Sequence, residues 1–222
     1  MTEDKLQVPE KTKGDAAHAI VKAGLSAIPV IGGPLAELFQ NVILPPLDKR
    51  RAEWMQKVGQ KLLELEESGL KLEDLRENEE FISAVMHATQ IALRTHQNEK
   101  LRALRNAILN VAKGQAPEEV LQHVFLNLID SFTELHLRIL KLFQNPELPP
   151  NPSMGKLSDV LEHNIPGLRG RRDLYDQIWR DLYSHGLVST DNLHQTMTGH
   201  GLGQKRTTGM GDAFLRFIEK SQ

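Results

Sequence analysis

The chain has 222 residues, with 27 Lys or Arg against 29 Asp or Glu, so its formal net charge at pH 7 is −2 and gives no overall electrostatic attraction to nucleic acid or anionic lipid. It contains no Cys, which excludes disulfides, thiolate zinc sites and a cysteine nucleophile, and which fits a reducing compartment. Aromatic residues make up only 5% and helix-forming residues are abundant, so the composition favours an all-α fold in a chain long enough to bury a core.

Residues 1–13 form a polar leader with charges of both signs, which predicts a disordered segment. The first apolar run begins only near Ala16, and no small-residue cleavage pattern marks a secretory signal. We therefore expect a cytoplasmic protein that can also meet a membrane peripherally, from its surface.

An apolar stretch follows, and residues 16–47 are predicted to form a hairpin of two short helices. Asp15 is a suitable N-cap for the first helix, which should end near Ile28 because the residue before a proline is pushed out of the α region. The sequence PVIGGP then predicts a turn, after which Pro34 can start the second helix and Pro45-Pro46 should end it.

Two interpretations of this hairpin remain open. Its longest charge-free run, Ala23 to Ala36, has 14 residues and is interrupted by Pro and Gly, whereas a spanning helix needs about 20. The hairpin can pack on the rest of the protein as core, or it can leave the bundle and enter the lipid interface. The membrane-contact candidates are its large apolar residues, namely Leu25, Ile28, Val30, Ile31, Leu35, Leu38, Phe39, Val42 and Ile43.

The region up to residue 143 is predicted to be a helical bundle, so that 14–143 form one domain with the hairpin. Gly69 should end the helix after the hairpin, Asn78 should cap the next one, and a third either continues it or separates near Asn98. One further helix is predicted from Pro117 to Phe143, and its wide apolar stripe places it at the centre of the bundle. The predicted stripes of the first three helices contain Trp54, Val58, Leu62, Leu65, Phe81, Val85, Ala88, Ala92, Leu101, Leu104, Ile108 and Val111.

A Pro-rich segment, QNPELPPNPSMG at 144–155, predicts an extended and fairly stiff linker. Nine of the 16 Gly lie beyond Gln144, and the chain there alternates short helical patterns with Gly, Thr and His. We therefore predict a domain boundary near residue 150 and a second, smaller domain at 156–222.

The last fifty residues contain a helix, RRDLYDQIWRDLYS, then Gly-Leu-Val, a polar segment and RTTGMGDAFLRFI, in which Thr208 can cap a final helix. This order resembles the end of many winged-helix domains, in which the polar segment is the wing and the helix before it enters DNA. The resemblance implies nucleic-acid candidates Arg169, Arg171, Arg172, Lys205 and Arg206. Residues 151–222 carry nine Lys or Arg and eight Asp or Glu, so they lack the excess of cations on which DNA affinity rests.

The whole plan combines an apolar N-terminal segment, a helical middle and a tail of the form GLV…TxxG…FLRFI. It resembles uncharacterised bacterial helical proteins, including those grouped with abortive-infection phage defence. That resemblance implies a membrane-active cell-death or phage-defence effector, and it assigns no site residue.

Candidate catalytic and metal residues do not emerge from the sequence. His87 and His96, His123 and His136, and His194 and His200 are not spaced i, i+4, and GHGLGQKRTTG does not match a phosphate-binding loop. We expect a non-enzymatic interaction protein with no catalytic, cofactor or metal residues and no small-molecule substrate. Its partner should be another protein or a second copy of itself, then a membrane, with nucleic acid after these. The alternatives are a DNA-binding transcriptional regulator that uses the tail and a structural scaffold subunit.

Overall fold

The computed structural model describes residues 42–150 and 153–220. The predicted leader, the first hairpin helix and the turn after it lie outside the described residues, as do seven of the nine membrane-contact candidates. The chain divides into two compact units, residues 1–49 and 50–222, and the described part of the first is 42–49.

The described chain is mostly helical, which confirms the all-α prediction at that level. Up to residue 150 its helices are α1 (Leu44–Glu67), α2 (Leu72–Leu75), α3 (Glu79–Arg94), α4 (Asn98–Ala112), α5 (Glu119–Ser131) and α6 (Glu134–Gln144). After it come β1 (Met154–Gly155), α7 (Leu157–Asn164), a 3₁₀ turn (Pro166–Leu168), α8 (Arg172–Ser184), β2 (Met197–Thr198), α9 (Gly199–Leu202) and α10 (Gly209–Ile218). The two strands pair antiparallel, with Met154 opposite Thr198.

Several predicted helix ends are confirmed. Gly69 has φ of +103°, a left-handed conformation that ends α1, and the side chain of Asn78 accepts a hydrogen bond from the Phe81 amide at 2.9 Å. The chain separates α3 from α4 at residues 95–97, so the alternative with two helices is the one observed.

The prediction that Pro45-Pro46 end a helix is wrong. Val42 and Ile43 already lie in a π-helical turn, and α1 begins at Leu44 with both prolines in its first turn. Proline is tolerated there because the first amides of a helix have no intrahelical acceptor and the fixed φ of proline suits the helix.

The single helix predicted from Pro117 to Phe143 is also two helices. The chain leaves the helix at Phe132 and Thr133, and α6 begins at Glu134. The Thr133 amide donates to His136 Nδ1 at 3.1 Å, so a side chain three residues ahead satisfies the first free donor of the new helix.

One hydrophobic core joins the helices on both sides of the Pro-rich segment within residues 50–220, so the segment at 144–155 does not separate two cores. Phe125 of α5 packs edge-on against Phe214 of α10, with ring centroids 5.3 Å apart. Phe143 of α6 packs against Trp179 of α8 at 4.8 Å. Leu148, within the Pro-rich segment itself, packs on the same core.

Candidate functional site

The described end of the apolar stretch is exposed. Val42 and Ile43 keep 53% and 41% of their surface accessible, so two adjacent large aliphatic side chains face solvent. A basic run follows in α1, in which Lys49 and Arg50 are exposed and Arg51 is half-buried. The apolar pair in the π-helical turn is thus followed by cations near the start of α1.

The nucleic-acid candidates before and within α8 are mostly engaged inside the protein. Arg172 Nε donates to Asp176 at 3.2 Å, and Arg169 Nε donates to the Glu162 carbonyl at 3.4 Å. Arg171 is exposed and makes no ion pair within the described residues. Across α8, two Arg face three Asp, so the helix carries a net charge of 2 − 3 = −1.

The other two candidates, Lys205 and Arg206, also have internal partners. Lys205 Nζ lies 2.6 Å from Asp212 Oδ2, and the Arg206 guanidinium donates to the Gly201 carbonyl. Burial raises the pKa of Asp212, but hydrogen bonds from Lys205, Thr207 and Gln144 outweigh it, and the pKa lies below its ordinary value. The carboxylate is therefore ionised and holds Lys205 in place.

A polar cluster that the sequence did not predict lies between α7, α8 and the segment after α8. His194 Nε2 lies 2.7 Å from Asp176 Oδ1, and Tyr175 donates to Glu162 at 2.9 Å. Burial and the Glu162 carboxylate raise the pKa of Tyr175 to about 12, so the phenol stays protonated. These contacts fasten the segment around residue 194 to α8. Only the fold could show them, because Asp176 and His194 are 18 residues apart.

His136 forms a second buried bridge. Its Nδ1 accepts from the Thr133 amide, so the ring proton is on Nε2 and is donated to Asp181 Oδ2 at 3.3 Å. The Thr133 hydroxyl is 2.9 Å from the same Nδ1. Burial lowers the pKa of His136, although the hydrogen bond to Asp181 opposes this effect. The neutral imidazole links the start of α6 to α8.

Two histidines that are distant in sequence also come together. The rings of His87 in α3 and His123 in α5 have centroids 4.8 Å apart, beside a small cavity of about 40 Å³ that Glu80 and Glu119 also line. Burial, and then the neighbouring His123, lower the pKa of His87. No group of three or more potential metal ligands occurs among the residues that the structure describes.

Comparisons with known proteins leave the site to be interpreted from its own geometry. No protein-family model matches the chain, and neither a curated protein nor a solved structure matches it. Across residues 42–150 and 153–220, none of the helices combines the length and the apolar character that crossing a membrane requires.

Proposed function

We propose that this protein is a non-enzymatic bacterial interaction protein that acts at a membrane surface through residues 16–47, as a cell-death or phage-defence effector. The observation that carries the proposal is the exposure of Val42 and Ile43, at 53% and 41%. They belong to the stretch from Gly24 to Leu47, in which Glu37 is the only charged residue. Exposed aliphatic side chains that continue an apolar sequence are typical of a surface that meets lipid or a partner.

Lipid can stabilise such side chains where water does not. Burying one large aliphatic side chain contributes roughly 1.5–3 kcal/mol. Lys49 and Arg50 follow and are exposed, and each cation close to an anionic lipid surface adds about 1 kcal/mol. The combination favours an anionic bilayer over a neutral one.

The tail has a different proposed role, as a winged-helix-like module for protein contacts. The support is the order α8, polar segment, α10 and an antiparallel bridge between Val188 and Thr207 at the base of that segment. Within the polar segment, Met197 and Thr198 form β2. This strand pairs with β1, which lies outside the segment, and not with a second strand of the segment, as it would in a two-stranded wing. The internal partners of Arg172, Lys205 and Arg206 argue against the DNA-binding alternative.

The membrane proposal is tested by sedimenting the full chain with vesicles of phosphatidylglycerol or of phosphatidylcholine. The matched variants are Val42→Ser with Ile43→Ser and, as a control, Met55→Ser with Leu63→Ser. Each pair removes two exposed apolar side chains from one chain segment, since Met55 and Leu63 are 50% and 55% accessible. Only the first pair should weaken binding to anionic vesicles, by about tenfold or more.

Equal binding by both double variants would show that Val42 and Ile43 do not contact lipid. Failure of the unmodified chain to bind either vesicle would overturn the membrane role itself.

A gel shift with duplex DNA tests the alternative of a DNA-binding regulator. We expect no complex at physiological salt, and a nanomolar complex would instead favour the regulator.

A further inference from the structure

A second surface has the chemistry of a binding site. Between α1, the end of α3 and the start of α4 lies a cleft of about 410 Å³. We call it the basic cleft, and its charged and polar lining includes Arg50, Lys57, His96, Asn98, Arg102 and Arg105. Glu53 is the one carboxylate among the residues that line it.

The cations of the basic cleft are largely uncompensated. Arg50, Lys57 and Arg105 make no ion pair among the residues that the structure describes. Arg102 has a single long contact, 3.9 Å from Glu99, between side chains that are both well exposed, and such a contact contributes little. Four cations and one carboxylate around one cavity leave a local charge of 4 − 1 = +3, in a chain whose overall charge is −2.

The floor of the basic cleft is apolar and contains a buried, hydrogen-bonded tryptophan. The Trp54 indole is 5% accessible, and its Nε1 donates to Thr89 Oγ1 at 3.0 Å, which fixes the ring. Ala92 and Leu101 complete an apolar base beneath the cationic rim. Helix α4 begins at Asn98, which also lines the cleft. Because a helix N-terminus carries partial positive charge, it adds to the positive potential of the cleft.

We propose that the basic cleft binds a phosphate-bearing small molecule. Two guanidinium groups on one helix, Arg102 and Arg105, can each hold phosphate oxygens through paired N–H donors, and Lys57 faces them from α1. The cavity volume falls in the range of small-molecule sites, and the apolar residues Trp54, Ala92 and Leu101 suit an organic group attached to the phosphate. The site lies outside the apolar segment 16–47 but shares Arg50 with the cationic run that follows it, so its test uses Lys57 and Arg105, which do not belong to that run.

Calorimetry with the full chain tests the proposal, with inorganic pyrophosphate and ATP as soluble probes. Vesicles of phosphatidylcholine with or without phosphatidic acid present the same phosphate chemistry as a lipid headgroup. Lys57→Gln with Arg105→Gln should weaken binding at least about tenfold. The control, Arg76→Gln with Arg216→Gln, removes two exposed cations elsewhere and should leave binding unchanged. Equal thermal unfolding midpoints would show that both double variants fold.

The possible outcomes distinguish a soluble phosphate ligand from a lipid headgroup. They also distinguish failure of the cleft proposal from failure of the membrane proposal. Binding of the soluble probes, lost in the cleft variant, identifies a soluble ligand, whereas loss confined to phosphatidic acid vesicles identifies a headgroup. No binding of any probe at low salt, or the same loss in the control variant, would overturn the basic cleft. A cleft variant that still binds phosphatidylglycerol through Val42 and Ile43 would leave the membrane proposal intact.

Discussion

Single polar side chains join the last helix to the bundle. The amide nitrogen of Asn110, in α4, lies 2.8–3.1 Å from the carbonyl oxygens of Arg216, Phe217 and Glu219. The last carbonyls of a helix have no intrahelical donor, so a buried amide that faces them satisfies several acceptors together. Asn106 adds a bond to the Ile218 carbonyl at 2.9 Å.

Buried His136 and half-buried His87 make stability depend on pH. Burial lowers the pKa of both His87 and His136 below the ordinary value of 6.5, so the folded protein binds protons less readily than the unfolded chain. Their contribution is complete above about pH 6.5 and is lost as the pH falls towards the folded pKa values. We therefore expect the free energy of unfolding, measured with urea, to decrease between about pH 7 and pH 5.

Variants can assign this dependence to a residue. His87→Gln should reduce the loss of stability on acidification, while the same change at exposed His163 should retain it. Asp212 does not interfere, because its pKa lies below the ordinary value of 3.8 and its contribution is lost only in stronger acid. A free energy of unfolding that stays constant across the range would contradict the assignment.

At the scale of elements, Thr208 and Gly211 explain why the TxxG pattern begins the last helix. Thr208 Oγ1 accepts from the Gly211 amide at 3.0 Å and donates to the Gly186 carbonyl at 2.5 Å. A Cβ at position 211 would overlap the Leu187 carbonyl oxygen, so only glycine allows α10 to pack this closely against the chain that follows α8.

Gly211→Ala should therefore destabilise the protein. Backbone atoms would have to move, and overpacking of this kind costs about 1–3 kcal/mol. We expect calorimetry to show an unfolding midpoint lower by roughly 4–8 °C. Gly209→Ala is the matched control, because it lies in the same helix with no atom within 4 Å of its added Cβ, and it should not lower the midpoint. Equal midpoints for the two variants would mean that α10 does not pack as described.

The glycine and asparagine signals predict helix ends correctly, whereas Pro45-Pro46 and the continuous apolar stripe do not show where helices begin and end. Gly69 and Asn78 were identified correctly because a left-handed glycine and an Asn cap act within one turn. The break at Phe132 was missed because the apolar stripe continues through it, and Phe132 is itself buried. Periodicity shows which face of a helix is buried, but it does not show whether the helix axis continues.

No local sequence pattern predicts which polar side chains of the site lie close together. Asp176 and His194, or His87 and His123, meet only because separate elements pack together. The basic cleft has the same origin, since its cations come from α1 and α4 and no run of the sequence contains them all. The nucleic-acid candidates stood out as short basic runs, but the carboxylate that neutralises Lys205 lies seven residues away.

For the whole molecule, the change of composition near residue 150 did not mark a separate core. Gly and Pro content reports local backbone preference, whereas a domain is defined by which apolar faces pack together. Phe214 and Phe217 of α10 both contact Phe125, and Trp179 contacts Phe143. The tail therefore completes the core of the bundle.

A fragment that ends at residue 150 tests whether the bundle and the tail share one core. Residues 1–150 alone would expose the surfaces that Phe214, Phe217 and Trp179 cover, each worth roughly 1.5–3 kcal/mol of burial. We expect this fragment to bind the dye ANS and to lose its near-UV circular dichroism and its cooperative thermal transition. Co-expression with residues 151–222 should abolish ANS binding and restore the near-UV signal and the cooperative transition, since the contacts need no covalent link. A fragment 1–150 that unfolds cooperatively as a monomer without binding ANS would show that the bundle has a complete core of its own.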